Sequence, residues 1–394
     1  MQVNGYVARG YEGVGEAFGA AQAKDEGGGQ LCIYRHGEKV VDVWAGRDKI
    51  NDRPYDENTI TVIMSCTKGA TAAVVHRLAE RGLIDYEARV ADYWPAFAAN
   101  GKADARVWQL MSHSVGLPGV EPESGVTAND MLYLDKHLPA LVAMAPVWTP
   151  GASCHYHPIT YGSLLDGLVR QVTGKSVSQT FAEEIAGPLG LDFWIGLPAE
   201  QEARVAPHFQ TTGGFTPEQI TALLTGMGID VTTRLAKVIL LSLHHTGELI
   251  ETMNNREARA AQVPAGNGIT NAASLAKMYA AMIGEVDGVR LVSPQTVDKA
   301  RTLRTGAMSP AGDLGKLQLG LPAQYGLGYQ LAEEGPGMLG KGSFGHDGAG
   351  GRAAFAHPES GIAAAYVANS MISVMGATDP RWAWMDELRT AVAA

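Results

Sequence analysis

The chain has 394 residues, 46% apolar and 18% charged, with a formal net charge of −10. That length suits two lobes better than one core, and the apolar fraction is ordinary for a globular protein. The acidic balance, without a Lys/Arg cluster, argues against nucleic acid and anionic membranes as partners, and three widely spaced cysteines (Cys32, Cys66, Cys154) exclude a disulfide framework and a cysteine zinc site.

No basic stretch followed by an apolar core opens the chain, and no apolar run is long enough to span a bilayer, so a soluble, cytoplasmic protein is expected. In chain order, residues 9–24 read as a helix. LCIYRHGEKVVDVWAG (31–46) reads as a hairpin around the turn residues His36-Gly37-Glu38. A short β-branched run ends near Met64, and from Ser65 the spacing turns helical, with Ala70, Val74, Val75 and Leu78 on one face and Gly82 as the stop. The middle is mainly helical segments joined by Gly/Pro loops: VWQLMSHSVGLPG, ITYGSLLDGLVRQVTGKS, TRLAKVILLSLHH and AASLAKMYAAMIG. The tail turns β-rich, with strands at 344–351, 352–358 and 361–370, then closes with the helix PRWAWMDELRTAVAA. The layout expected is a sheet domain from both chain ends (1–85 and 291–394), with a mainly helical domain (86–290) inserted between them.

The chemistry-bearing candidates start with Ser65-Cys66-Thr67-Lys68, an S-x-x-K. Residues i and i+3 share a helix face, so a lysine amine reaches the serine hydroxyl. Burial strips the amine of its charge stabilisation and lets it take the serine proton. A serine in the first helical turn also meets free backbone N–H groups that stabilise an oxyanion. Spacing alone is weak: 16 serines and 12 lysines give about half an S-x-x-K by chance. The chain holds a second, Ser274-Leu275-Ala276-Lys277, which also reads as a first-turn serine beside a solvated charge. No G-x-S-x-G elbow exists; Gly151-Ala152-Ser153-Cys154-His155 lacks the second glycine. Gly174-Lys175-Ser176 ends like a P-loop, but position 169 is valine. His155-x-His157 and His244-His245 lack companions at metal-ligand spacing, so no metal is expected. Cys66 points about 100° away from Ser65 on a helix, which favours core packing over a nucleophilic role.

Context separates the two S-x-x-K sites. MSCTKGATAAVVHRLAERGLIDYEARVADYWPAF resembles the nucleophile helix of the serine β-lactamase and penicillin-binding-protein superfamily. VWQLMSHSVGLPG, WTPGASCHYHPITYGSLLDGLVRQVTGKSVSQTFAEEIAGPLGL and SFGHDGAGGRAAFAHPESGIAAAYVANS resemble its later segments. Within that superfamily the chain looks most like the family VIII carboxylesterases, the esterases related to class C β-lactamases. The resemblance implies an α+β, β-lactamase/transpeptidase-like fold: an antiparallel sheet flanked by helices, with an inserted mainly helical domain. It also implies roles by position. Ser65 matches the acylated serine, Lys68 the helix lysine and Tyr156 the tyrosine of the second motif, followed by Tyr161 and Gly162. His346-Asp347-Gly348 matches the third motif, and Ala349 offers an oxyanion N–H alongside that of Ser65. A charged Lys68 beside Tyr156 would favour its phenolate.

Two departures shift the substrate. The second motif reads Tyr156-His157-Pro158 without its asparagine, and the third has His346 in place of a lysine. A fixed cation for a substrate carboxylate is therefore missing. The expectation is a serine esterase for short-chain, uncharged esters, needing no cofactor. The alternatives are β-lactam, D-amino-acid amide or peptide hydrolysis, acyl transfer on the same scaffold, or a non-catalytic ligand-binding relative. The expected partner is a small-molecule ester; the oligomeric state is left open.

Overall fold

The computed structural model describes residues 2–211, 216–313, 324–332, 338–372 and 379–393. Near the N-terminus, strand β1 (Asn4–Val7) leads to helix α1 (Glu12–Gln22), shorter than the 9–24 expected from pattern. Gly10 has φ 91° and cannot be helical, and its N–H donates to Glu12 Oε2 at 2.8 Å, which sets the helix start. The hairpin is strand β2 (Gly28–Arg35) and strand β3 (Glu38–Asp48). His36 and Gly37 between them have φ 51° and 84°, the left-handed pair that a tight hairpin turn requires.

After the short strand Thr61–Val62, Met64–Cys66 form a 3₁₀ turn, and helix α2 runs over Thr67–Glu80. Gly82, at φ 71°, ends it as expected; its N–H reaches Ala79 O, and Leu83 N–H reaches Leu78 O. The middle of the chain contributes α3 (Thr160–Thr173), α4 (Arg234–Thr252) and α5 (Ala272–Ile283). The C-terminal part supplies β4 (Gln330–Ala332), β5 (Ser343–Gly348), β6 (Arg352–His357), β7 (Ile362–Ala368) and α6 (Trp384–Ala393). Pro380–Ala383 form a separate 3₁₀ turn ahead of α6, capped by Asp379, whose carboxylate accepts the Arg381 N–H.

The main sheet runs β1-β3-β2-β7-β6-β5-β4, every neighbouring pair antiparallel. Side chains alternate across it. Leu31, Ile33, Val41, Val43, Phe355 and Tyr366 pack on one face with Phe18 of α1 and Trp384 of α6. Cys32, Tyr34, Ala354, Ala356, Ala363 and Ala365 pack on the other with α2 and α5. Covered on both sides, β7 reads Ile-Ala-Ala-Ala-Tyr-Val-Ala with no charged residue, and its alanines let the helices lie close. Helix α5 lies within the 86–290 stretch yet covers the sheet, so the sheet's helical layer draws on the middle of the chain too. No helix among the described residues is long and apolar enough to cross a membrane.

Candidate active site

Ser65 sits on the 3₁₀ turn just ahead of α2, one step earlier than the α-helical turn expected. Met64 before it has φ 50°, a left-handed conformation that is strained for a side-chain-bearing residue. Ser65 is only partly buried, whereas Lys68 on α2 is fully enclosed. Lys68 Nζ lies 3.1 Å from Ser65 Oγ and donates to Ala265 O at 2.8 Å. That carbonyl belongs to the 263–268 loop, tied to α2 again through Thr67, whose Oγ1 accepts the Gly268 N–H at 2.8 Å. Burial holds the Lys68 pKa well below the usual lysine range. A neutral amine has N–H groups for Ala265 O and a lone pair for the Ser65 hydroxyl.

Tyr156 OH donates to Ser65 Oγ at 2.8 Å. Two backbone bonds from its neighbours fix the tyrosine: the His155 N–H donates to His113 O at 3.2 Å, and the His157 N–H to His113 Nδ1 at 3.1 Å. His113, at φ 59° and fully buried, thereby clamps the Tyr156 segment, and its ring lies 4.9 Å from the Tyr156 ring. The Tyr325 ring stacks parallel to that of Tyr156 at 6.3 Å and meets the His113 ring at 4.6 Å, so the three rings form one cluster. Lys68 Nζ rests over the Tyr156 ring, 4.8 Å from its centre. The expectation that a charged Lys68 favours a phenolate is corrected: burial pushes the Tyr156 pKa well up while it pushes that of Lys68 down. Enclosure thus disfavours the charged form of both groups.

The third motif closes the site from the sheet side. Cys66 Sγ donates to His346 O at 3.2 Å, joining the nucleophile turn to β5, and burial raises the thiol's pKa, as suits a packing residue rather than a nucleophile. Gly348 lies so close to that turn that a Cβ on it would stand 2.4 Å from Ile63 O. Ala349 follows at the strand end, and neither its N–H nor that of Ser65 has an acceptor among the described residues. His346 is buried, its ring 5.9 Å from that of Tyr156. Its Nδ1 lies 2.7 Å from Asp347 O, so Nδ1 carries the proton, and burial pushes the ring's pKa down to about 3. His346 is thus neutral at neutral pH.

The structure therefore brings Ser65, Lys68, Tyr156, His346, Gly348 and Ala349 together. It leaves the second S-x-x-K apart: Ser274 Oγ accepts the Asp192 N–H at 2.9 Å, and Lys277 donates to Leu189 O at 2.7 Å and pairs with Asp287. Lys277 is largely covered rather than solvated, and Asn271 is the cap. His157 is spent on local bonds to His155 O and the Leu117 N–H, and His244 pairs with Glu248. Sequence reasoning missed His113, the Ala265 carbonyl and Gln330, which bonds Asp347 on both its main chain and side chain. The histidine of VWQLMSHSVGLPG was visible; its partner in space was not.

A family model described as Beta-lactamase matches residues 16–387, and the chain belongs to that family. It is 38% identical over 360 residues to the esterase/beta-lactamase LipL of Mycobacterium tuberculosis, covering 90% of this chain and 79% of that protein. Among solved structures it is similar to a family VIII carboxylesterase, with a TM-score of 0.83, 30% identity, and 99% and 100% of the two chains covered. EstA from Arthrobacter nitroguajacolicus Rue61a superposes with a TM-score of 0.81 at 25% identity, over 100% and 99% of the two chains. The chain is accordingly a serine hydrolase of the β-lactamase/transpeptidase-like fold, of esterase type.

Proposed function

We propose that the chain hydrolyses short-chain, uncharged carboxylic esters through an acyl-enzyme on Ser65. The observation that carries this is the meeting of two groups of opposite tendency on one oxygen: Lys68 Nζ at 3.1 Å and Tyr156 OH at 2.8 Å from Ser65 Oγ. The Ser65 proton passes to the Lys68 lone pair as Oγ bonds to the ester carbonyl carbon. The oxyanion is held by the N–H groups of Ser65 and Ala349. Tyr156 gives its proton to the leaving alkoxide as the ester C–O bond breaks. In deacylation the phenolate takes a proton from water, hydroxide adds to the acyl carbon, and Lys68 returns its proton to Ser65 Oγ. Both groups then regain their starting states.

The esterase reading over the β-lactamase one rests on the third motif: His346 is neutral, and Asp347 adds a carboxylate where a carboxylate-bearing substrate would need a cation. Replacing Ser65 by Ala abolishes turnover of p-nitrophenyl butyrate, and an activated phosphonate ester adds its mass to Ser65 of the unaltered protein alone. Retained turnover in the variant, or an adduct elsewhere, overturns the assignment. Nitrocefin turnover comparable with ester turnover would favour the β-lactamase reading.

A further inference from the structure

The turn that carries the Ala349 N–H is held carbonyl by carbonyl. Gly348 O accepts the Gly351 N–H at 3.1 Å, and Gly350 has φ 81°, so residues 348–351 form a tight turn with a left-handed third residue. The Gly348–Ala349 peptide is planar and trans. With its carbonyl turned into that bond, its N–H points the opposite way, out of the turn. The next three carbonyls each meet a side chain. Ala349 O accepts from Arg352 Nη1 at 2.9 Å, Gly350 O from Arg381 Nη2 at 2.5 Å, and Gly351 O from Trp382 Nε1 at 2.8 Å.

The two arginines differ in company. Arg381 is paired with the buried carboxylates of Asp25 and Asp379. Arg352 stands directly opposite Gly348 in the β5–β6 ladder and is fully buried. No carboxylate among the described residues pairs with it, and its Nε and Nη2 have no hydrogen-bond partner. Burial pulls its pKa down to about 10, which still leaves the guanidinium charged at neutral pH. An enclosed charge with two unpartnered nitrogens costs stability, and an apolar side chain of similar length would fill the space without that cost. The one bond that Arg352 makes among the described residues goes to Ala349 O.

We infer that Arg352 is a positioning residue of the oxyanion hole: its bond to Ala349 O fixes the Ala349–Gly350 peptide and so keeps the Ala349 N–H aimed at the ester oxygen. Glycine at the third place of the turn accepts this peptide in either orientation, so the backbone alone does not choose between them. The guanidinium makes that choice from beneath the turn. This inference rests on the esterase reading above and on its assignment of Ala349 to the hole.

The test is a double-mutant cycle read with p-nitrophenyl butyrate. Ala349→Pro removes the N–H, and proline suits the second place of such a turn. It should cost roughly 10²–10³-fold in kcat, the usual loss for one oxyanion donor. Arg352→Met keeps an unbranched stem and removes the guanidinium. It should lower kcat roughly 10–100-fold while KM stays within about threefold, because the hole is filled in the transition state rather than by the bound ester. In the Ala349→Pro background the same replacement should change kcat by less than about threefold, since the N–H it positions is gone. Equal losses in the two backgrounds mark a merely structural role and overturn the inference, as does an unchanged kcat in Arg352→Met. Should Arg352→Met fail to fold, Arg352→Lys keeps a cation but shortens the reach to Ala349 O, and the cycle is read in the same way. Full activity in Ala349→Pro overturns the assignment of the hole and the inference with it. No turnover of any ester by the unaltered protein overturns the esterase reading itself.

Discussion

Replacing Lys68 by Met keeps the length and apolar stem of the side chain and removes only the amine. Two consequences of opposite sign follow. Ser65 Oγ loses the group at 3.1 Å that takes its proton, and Tyr156 OH at 2.8 Å is a donor to that oxygen, not a base. Loss of a positioned proton acceptor costs roughly 10³-fold in kcat/KM, about 4 kcal/mol of transition-state stabilisation. Stability moves the other way. The amine is fully buried, and its folded pKa lies well below the ordinary value of 10.5. Between those two values the unfolded chain binds one proton more than the folded one. Lys68 therefore adds stability in full only above its unfolded pKa, and that stability is lost as pH falls toward the folded value, at about 1.4 kcal/mol per pH unit. Methionine carries no such term. Against this, the variant leaves Ala265 O without its donor, a pH-independent cost of about 1–3 kcal/mol. Urea unfolding of both proteins across pH 6–9 reads the difference. The stability of the variant relative to the unaltered protein should decline steadily as pH rises. Parallel curves would refute the neutral buried amine, and more than a tenth of the original kcat/KM in the variant would refute its role as the base.

Tyr156→Phe keeps the ring against His113 and Tyr325 and removes the hydroxyl that serves the leaving oxygen. Its cost should depend on the leaving group: roughly 10²–10³-fold on ethyl butyrate and at least tenfold less on p-nitrophenyl butyrate, which needs little protonation. Equal losses on the two esters would place the hydroxyl elsewhere in the mechanism. Gly348→Ala puts a Cβ 2.4 Å from Ile63 O and 3.3 Å from Cys66 Sγ, so β5 must move off the nucleophile turn. It should lower kcat more than it raises KM and cost about 1–3 kcal/mol in thermal unfolding; an unchanged kcat would show that the strand's distance from Ser65 is unimportant.

Much of this was legible in the sequence because it is local. The β2–β3 hairpin follows from alternation and a His-Gly turn. The end of α2 follows from Gly82, and the pair Ser65–Lys68 follows from one turn of spacing. The limits are equally physical. Helix α1 starts late because of the φ of Gly10, and Ser65 lies on a 3₁₀ turn because Met64 takes a left-handed conformation; periodicity carries neither fact. Nor does it separate Ser65–Lys68 from Ser274–Lys277, which differ in what surrounds them. Lys68 finds Ser65, Ala265 and the Tyr156 ring, whereas Lys277 finds Leu189 O and Asp287. The phenolate expectation failed for the same reason. Spacing placed the amine near the phenol, but enclosure disfavours a charge on either.

That enclosure is built by a loop with no chemistry of its own. The 263–268 loop lies over α2 because α3 presents no side chain at Gly162: a Cβ there would stand 2.5 Å from Ala265 N and 2.7 Å from Pro264 C. Both are backbone atoms, so they cannot swing aside as a side chain would. Gly162→Ala must lift the loop, which withdraws Ala265 O from Lys68 Nζ and admits water to the amine. Hydration favours the charged form, so the Lys68 pKa rises back toward the usual lysine range. The base is active only when unprotonated, so the acid limb of the kcat/KM profile should move to higher pH. Activity at neutral pH should then fall and recover in part as the buffer is made more alkaline. A purely structural defect would lower the whole profile without moving its limb, and that outcome would refute the link between the loop and the amine's charge.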